Sequence, residues 1–547
     1  MDGKIVLQDS QLELDDRNHA HVEDQVNGDQ DNVHLTRTGK RPVLKRSFGW
    51  ISILGFSCII MGTWEGSFIT FGIGLVNGGY AGLIYGFIIV WFGTLATFTS
   101  LAELVSMAPT SGGQYHWVSI LAPTSWQKFA SYVTGWLTVA GWQAAVSSSS
   151  YIMGTILQGL IQLCAPSYVP ELWHGTLLFY AVLLVCIGFN ALGTALPKVE
   201  SIMLFIFIIG FFATMIPMVW LAPHESAKVV FTTWINDGGW NSQGTSFFVG
   251  LAGNAFAFLG ADSAYHMSEE IHNAATVVPR AIILSIFING IVGLAALIAI
   301  LFCLGDVEEL FLTSFAYPFI QVFWNATNSV AGAAVMVVIV WVTGAGLAIG
   351  TMAAASRMLW AFARDRGVPG WRHISKVNAR SSIPVIAIAC TTQFSLLIGL
   401  ISIKSPTAFN GVISLTLASL YGSYLIACAL LLWRRLTGSI RVVSDNDTTV
   451  ANLPGSGGHL AWGPFRIPGI TGTAINAISV VYLTIVFIFT FFPTTVPTTA
   501  ETMNYSSLVF GAVALLSGVY YAFWARKTYT GPVIEVDVSG VSTPPVK

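Results

Sequence analysis

Charged side chains are scarce in this sequence. Of its 547 residues, 10% are Asp, Glu, Lys or Arg, 54% are hydrophobic, and the mean hydropathy is +0.68. Soluble domains contain about 25% charged residues, so this chain has too few charges to cover a surface that faces water. Most of its surface must therefore face lipid, which excludes an ordinary soluble protein.

A strong net charge and paired cysteines are also absent. The formal charge of −2 and the pI of about 6.5 give no basis for a nucleic-acid partner. The six cysteines stand singly, nearly all inside apolar runs, with neither metal-ligand spacing nor a disulfide framework. We therefore predict no metal site and no cofactor, and we interpret the cysteines as small packing residues.

Catalytic motifs are missing as well. The ten histidines are dispersed among the terminal segments, the loops and the ends of apolar runs, so they form no convergent catalytic set. The chain has no Walker-type glycine-rich loop for ATP. The sequence therefore predicts no catalytic residue and no enzyme activity, and any energy for transport would come from an ion gradient.

Long apolar runs dominate what is present. A hydrocarbon core about 30 Å thick needs about 20 helical residues, and we identify twelve runs of this kind. They cover residues 49–73, 80–107, 126–164, 173–192, 200–221, 245–264, 281–304, 329–356, 384–403, 409–433, 469–492 and 506–524. A β-barrel would show short segments of alternating polarity instead. The predicted fold class is an all-α membrane protein with 12 transmembrane helices.

Basic residues support this count of spans. If twelve spans alternate, all but two of the 25 Lys and Arg residues fall on the side of both termini, the exceptions being Lys228 and Lys404. By the positive-inside rule that side is cytosolic. A missed span would reverse every later loop and destroy the asymmetry.

The chain divides into three parts. Residues 1–46 are polar and mixed in charge, without the apolar core and cleavage site of a signal peptide, and are predicted to be a disordered cytosolic tail. Residues 47–525 form the transmembrane domain, and residues 526–547 form a C-terminal cytosolic tail. The predicted location is the plasma membrane, with the vacuolar membrane as an alternative.

The first and sixth spans are interrupted at mid-depth. Residues 62–66 have the sequence GTWEG, and residues 260–263 have the sequence GADS. Interrupted spans in corresponding places of two halves indicate a transporter site, because a broken helix exposes unpaired N–H and C=O groups that must line a cavity. Alternatively, these glycines only permit close helix packing. The predicted substrate-binding residues are Gly62, Thr63, Trp64, Glu65, Gly66, Gly260, Ala261, Asp262 and Ser263.

Four stretches together resemble a known family. They are TWE at 63–65, GLVNGG at 74–79, AELVSMAPTSGGQYHW at 102–117 and EEIHNAATVVPRA at 269–281. The resemblance is to the fungal amino acid/choline (GABA-type) permease branch of the amino acid–polyamine–organocation superfamily. It extends over residues 47–525, and PTSGGQYHW is its most specific part.

This resemblance implies a five-plus-five inverted repeat with broken helices 1 and 6, followed by two extra helices. It implies alternating access, usually with proton coupling, and substrates such as GABA, other amino acids, choline or related amines. The first break would then hold the substrate carboxylate, and the sixth-span break would hold its amine.

Several charged residues are candidates for coupling and gating. Glu65 could contact a substrate cation or take the coupling proton, or it could be a structural carboxylate. The resemblance implies a coupling role for Lys198, although a lysine snorkelling to the interface would look the same. Glu269, Glu270 and Arg280 are predicted to form an inner gate, with solvated loop charges as the alternative.

The sequence therefore predicts a secondary active permease for an amino acid or related amine such as GABA. The predicted partners are this small molecule, a coupling proton and the lipid bilayer. A permease for choline, another quaternary amine or a polyamine is an alternative. A nutrient sensor that keeps the transporter fold is an alternative of another class.

Overall fold

The computed structural model describes residues 35, 37–192, 195–403, 406–442, 452–454, 460–500 and 502–536. Most of the described chain is helical, and ten of its segments are long and apolar enough to cross a membrane. The only strands in the described ranges are β1 (Ile440–Arg441) and β2 (Leu460–Ala461), which pair in parallel. The protein is an all-α multi-pass membrane protein, as the hydropathy predicted.

The helices follow the predicted runs in order. In the first half they are α1 (Trp50–Met61), α2 (Thr63–Val76), α3 (Gly79–Met107), α4 (Gln114–Leu121), α5 (Gln127–Cys164), α6 (Leu172–Ala191), α7 (Leu196–Leu221), α8 (Ala227–Thr232), α9 (Gln243–Ala257) and α10 (Ser263–His266). In the second half they are α11 (Ala274–Phe302), α12 (Val307–Phe311), α13 (Pro318–Thr327), α14 (Val330–Arg364), α15 (Trp371–Ile374), α16 (Val385–Ser402), α17 (Pro406–Leu436), α18 (Gly469–Phe489), α19 (Ser506–Tyr520) and α20 (Arg526–Thr528).

Two predicted spans differ from the other ten. The third corresponds to α5, which has 38 residues but is less apolar because it carries a run of serines at 147–150. The sixth corresponds to α9, which has only 15 residues because the helix ends at the second break.

The break in the first span lies at a single residue. Gly62 adopts φ +48° and ψ 44°, the left-handed region that favours glycine, and separates α1 from α2. Gly66 continues the helix, and a Cβ there would stand 3.0 Å from the Ala257 Cβ. Gly62 is thus the break, whereas Gly66 permits close packing of α2 against α9, the alternative that the sequence left open.

Both ends of the described chain meet on one face, which we call the terminal face. The Glu535 amide donates to the Gly39 carbonyl at 2.7 Å, and the Arg41 amide donates to Glu535 Oε2 at 3.1 Å. Residues 37–46 and 529–535, assigned from the sequence to the tails, are therefore packed together. Of the two predicted tails, the structure describes residues 35, 37–46 and 526–536, and the remaining tail residues lie outside the described part of the chain.

Candidate functional site

The two helix breaks touch each other inside the bundle. Gly260 adopts φ +97°, and a Cβ at this position would stand 2.9 Å from the Ile60 carbonyl oxygen. Ile60 belongs to the last turn of α1, just before the break at Gly62. The resemblance predicted that the breaks face one site, and their backbones are in direct contact there.

Asn289 of α11 bridges the two halves of the first span. Its Oδ1 accepts a hydrogen bond from the Thr63 amide at 3.1 Å, and its Nδ2 donates to the Cys58 carbonyl at 3.2 Å. One amide side chain thereby serves an unpaired donor of α2 and an acceptor of α1.

A cavity of about 80 Å³ lies beside the breaks, and we call it the central cavity. A single water needs about 10–15 Å³ on this measure, so the space suits a small ligand. Most of its wall is apolar. The polar and aromatic lining residues are Glu65, Thr70, Trp142, Ser148, Ser149, Phe256, Thr351 and Thr416.

Four of the nine predicted substrate-binding residues line this cavity, namely Gly62, Glu65, Gly66 and Gly260. The other five are buried next to it: Thr63, Trp64, Ala261, Asp262 and Ser263. Trp64 packs edge-on against Phe68, with ring centroids 5.8 Å apart. This is a packing contact, and the assignment of Trp64 to substrate binding stays a prediction.

Glu65 is the ionisable residue of the cavity wall. It is 3% exposed, and its Oε2 has no hydrogen-bond partner in the described part of the chain. A buried carboxylate is costly unless a partner or a cation neutralises it. The unsatisfied oxygen therefore marks Glu65 as a point where a cationic group can bind.

Asp262 belongs to a polar network behind the sixth-span break. Trp142 Nε1 donates to Asp262 Oδ2 at 3.0 Å, and His266 Nε2 lies 3.6 Å from the same oxygen. His266 Nδ1 lies 2.9 Å from the Ser111 carbonyl oxygen, which can only accept, so Nδ1 carries a hydrogen. His266 thus connects the sixth-span break to the loop before α4.

A second cavity, of about 410 Å³, continues from the central cavity toward the face opposite the terminal face. The two cavities share Ile69, Thr70, Ile152 and Phe256. Its far wall contains residues after α18, including Thr494 and Asn504. This space provides a route to the site from the opposite face.

Buried ion pairs close the terminal face, and we call them the terminal seal: Lys40, Glu269, Arg364, Asp365 and Glu535. Lys40 pairs with Asp365, and both side chains are at most 3% exposed. Arg364 Nη1 binds Glu269 Oε2 at 2.8 Å, and its Nε binds Glu535 Oε1 at 2.7 Å. The terminal seal therefore joins both chain ends to the end of α14.

The Asp365 carboxyl is the most heavily bonded acid of the terminal seal. Its oxygens accept from Lys40, from the Tyr115 hydroxyl at 2.7 Å and from the Val533 amide at 2.8 Å. Burial raises the pKa of Asp365, but Lys40 and these hydrogen bonds outweigh burial and hold the pKa below its usual value. Since its pKa is lowered, Asp365 stays ionised at neutral pH and the seal weakens only under strong acid.

The predicted gate residues are separated by the fold. Glu269 lies in the terminal seal, and Glu270 Oε1 accepts from Arg357 Nε at 2.8 Å. Arg280 is exposed and forms no ion pair within the described ranges. The two acids thus pair with Arg364 and Arg357 of α14, which the sequence analysis did not associate with them.

His116 is buried in α4 beside the terminal seal, and burial followed by the charge of Lys40 lowers its pKa to about 3. The lowered pKa means that the ring is neutral at any pH well above 3. We expect His116→Gln to leave the pH dependence of uptake unchanged between about pH 5 and pH 8. Uptake measured across this range checks the prediction, and a displaced pH midpoint in the variant would contradict it.

The coupling candidates occupy different environments. Glu65 lines the central cavity, whereas Lys198 is exposed near the start of α7. This placement matches the alternative of a lysine at the membrane interface. Sequence reasoning passed over Asn289 and His266. Asn289 is a polar residue inside the apolar run 281–304, a feature that could have revealed it.

Comparison with known proteins identifies a family and several relatives. Residues 48–514 match the model of a family described as amino acid permease. The chain is 30% identical over 529 residues to an uncharacterized amino-acid permease of Schizosaccharomyces pombe, covering 95% of this chain and 92% of the relative. It is 29% identical over 488 residues to a choline transporter of Saccharomyces cerevisiae, with coverages of 89% and 83%. The amino-acid permease BAT1 of Arabidopsis thaliana is 27% identical over 532 residues, with coverages of 93% and 97%.

Proposed function

Because the chain belongs to the amino acid permease family, we propose that it carries a small amino acid or related amine, such as GABA, together with protons. Its family and its relatives are transporters and not enzymes. The substrate class of amino acids and related amines follows from the same comparisons. The identity of the substrate and the coupling to protons belong to the proposal.

The observation that carries the proposal is the charge of the central cavity. Glu65 is the one ionisable side chain among the described residues of the cavity wall. Its Oε2 has no hydrogen-bond partner within the described part of the chain. A substrate with an ammonium group supplies the missing donor and positive charge. The start of α2 at the first break suits the carboxylate of an amino acid, because the start of a helix favours negative charge.

A quaternary amine such as choline is the second candidate. Trp142 and Phe256 lie in the wall of the central cavity, and aromatic faces attract cations that cannot donate hydrogen bonds. A relative is named as a choline transporter. A polyamine is less well matched, since its further ammonium groups would find no second carboxylate among the described wall residues.

In the proposed transport mechanism, substrate enters from the face opposite the terminal face, where the second cavity leads inward. The terminal seal keeps the other end closed until substrate and proton are bound. Rearrangement of the broken helices then exposes the site to the terminal face. The distribution of basic residues supports a cytosolic terminal face, and the proposed location is the plasma membrane, with the vacuolar membrane as the alternative.

Uptake by proteoliposomes tests the proposal. The panel contains radiolabelled GABA, the proteinogenic amino acids, choline and polyamines, each with and without an imposed inward proton gradient. We expect accumulation of one substrate that collapses with the gradient. Uptake that ignores the gradient would refute proton coupling, and no uptake by a well-folded preparation would favour the nutrient-sensor alternative.

Glu65→Gln tests the role of the cavity carboxylate. We expect uptake to fall by about tenfold to 100-fold at normal protein abundance, because a hydrogen bond to a charged group contributes about 1.5–3 kcal/mol. Uptake per molecule at the membrane is the measurement, and Glu308→Gln, at an exposed acid, is the matched control. Reduced abundance with full activity per molecule would instead make Glu65 a structural residue.

A further inference from the structure

One buried carboxylate has no role in the site described above. Glu200 lies in α7, two residues after Lys198. Its side chain is fully buried, whereas that of Lys198 is exposed. Neither Glu200 oxygen has a hydrogen-bond partner in the described part of the protein. A native structure rarely keeps such a group buried and unsatisfied without a functional reason.

Glu200 lies where α7 meets α1 and α14. A Cβ at Gly55 of α1 would stand 2.6 Å from the Glu200 carbonyl oxygen, so the two helices are in backbone contact. A Cβ at Gly350 of α14 would stand 3.6 Å from Glu200 Oε1 and 2.5 Å from Ile60 Cγ1. The carboxyl group therefore lies in the junction of three helices, next to Ile60.

Ile60 connects this junction to the substrate site. It lines the central cavity, and its carbonyl oxygen faces Gly260 at the sixth-span break. The Glu200 carboxyl is thus one side chain away from the cavity and from both helix breaks. A change in its charge acts on the packing of α1 against α14 at the point where the first span is broken.

The surrounding helices offer no cation to neutralise Glu200. Helix α1 contributes only Cys58 as a titratable group, and α13 contributes none. On α14, Arg357 pairs with Glu270, and Arg364 belongs to the terminal seal. The charged residue of α11 is Arg280, which is exposed. An ionised, unpartnered carboxylate in this position costs several kcal/mol, whereas a neutral carboxylic acid does not carry this cost.

We propose that Glu200 carries the coupling proton, on the basis of its burial without a partner at the junction of α1, α7 and α14. This inference rests on the proposed proton coupling. A proton taken from water through the central cavity forms the O–H bond of Glu200 and allows α1 to pack against α14. When α1 and α14 separate toward the terminal face, water enters, the O–H bond breaks and the proton leaves to water on that side.

The test compares exchange with accumulation in proteoliposomes. Glu200→Gln keeps the shape of the neutral acid but holds no exchangeable proton, with Glu308→Gln, at an exposed acid, as the matched control. Radiolabelled GABA and choline serve as probes. We expect the Glu200 variant to keep exchange within about twofold of the unsubstituted protein but to lose the accumulation driven by an inward proton gradient. The control should keep both.

The outcomes separate the two proposals. If the unsubstituted protein transports a probe without responding to the gradient, proton coupling itself is wrong. If both the unsubstituted protein and Glu200→Gln accumulate the probe with the gradient, coupling stands and the role of Glu200 is overturned. If Glu200→Gln loses exchange as well, the variant Glu200→Asp decides whether Glu200 carries the coupling proton. Gradient-driven accumulation with a displaced pH midpoint supports the inference, whereas no accumulation, or an unchanged midpoint, contradicts it.

Discussion

Gly260→Leu is expected to abolish uptake without preventing insertion of the protein into the membrane. The backbone at Gly260 has φ +97°, and an added Cβ would stand 2.7 Å from Ile60 Cγ2 and 2.9 Å from the Ile60 carbonyl oxygen. Strain at such a backbone costs about 1–3 kcal/mol, and overpacking adds about as much again. Since each 1.4 kcal/mol is about tenfold, the combined cost of about 2–6 kcal/mol should lower uptake by more than about 25-fold.

Gly511→Leu is the matched control, because a Cβ at Gly511 has no neighbour within 4 Å. Uptake rates normalised to membrane abundance provide the measurement. Gly62→Leu should behave like the Gly260 variant, since Gly62 has φ +48° and its Cβ would stand 2.8 Å from Leu347 Cδ1. Unaltered uptake in either variant would count heavily against a substrate site at the breaks.

Lys40→Met is expected to open the terminal face. The substitution leaves the Asp365 carboxylate buried without its ion-pair partner, and breaking a buried ion pair in this way costs about 3–5 kcal/mol. The closed form should lose population to the open form by more than about 100-fold. A cysteine introduced at Ser149 in the wall of the central cavity should then react with a membrane-impermeant reagent added on the terminal face.

Lys45→Met is the control for this prediction, because Lys45 is exposed. The double variant Lys40→Met/Asp365→Leu should recover part of the closed population, since removing both partners costs less than removing one. Equal reactivity of Lys40→Met and the unsubstituted protein would mean that this ion pair does not hold the terminal face closed.

The fold could be predicted from the sequence because the bilayer imposes a length and an apolar composition on every span. The break in the first span was predicted because glycine beside a carboxylate is unusual inside an apolar run. The sequence did not distinguish the break at Gly62 from the packing role of Gly66. That distinction depends on the distance between α2 and α9, which no local pattern encodes.

Ion pairs between residues far apart along the chain were harder to predict from the sequence. Glu103 of α3 is buried, pairs with Arg435 and accepts from the Ile467 amide at 2.7 Å. Nothing in the sequence identifies Arg435 as its partner. The pairing of Lys40 with Asp365 could not be predicted either, because nothing in a single sequence links two residues that are 325 positions apart.

The contact between residues 39 and 535 also has a consequence for the order of synthesis. The Glu535 amide binds the Gly39 carbonyl, so the terminal seal joins the first and last described parts of the chain. Every span is made before the seal can be completed, and a growing chain in the membrane therefore passes through a stage with its helices inserted but the terminal face not yet closed. A nascent protein whose synthesis stops just before residue 535 should have an incomplete terminal seal. A permeability of the membrane higher than that with the full chain would distinguish it.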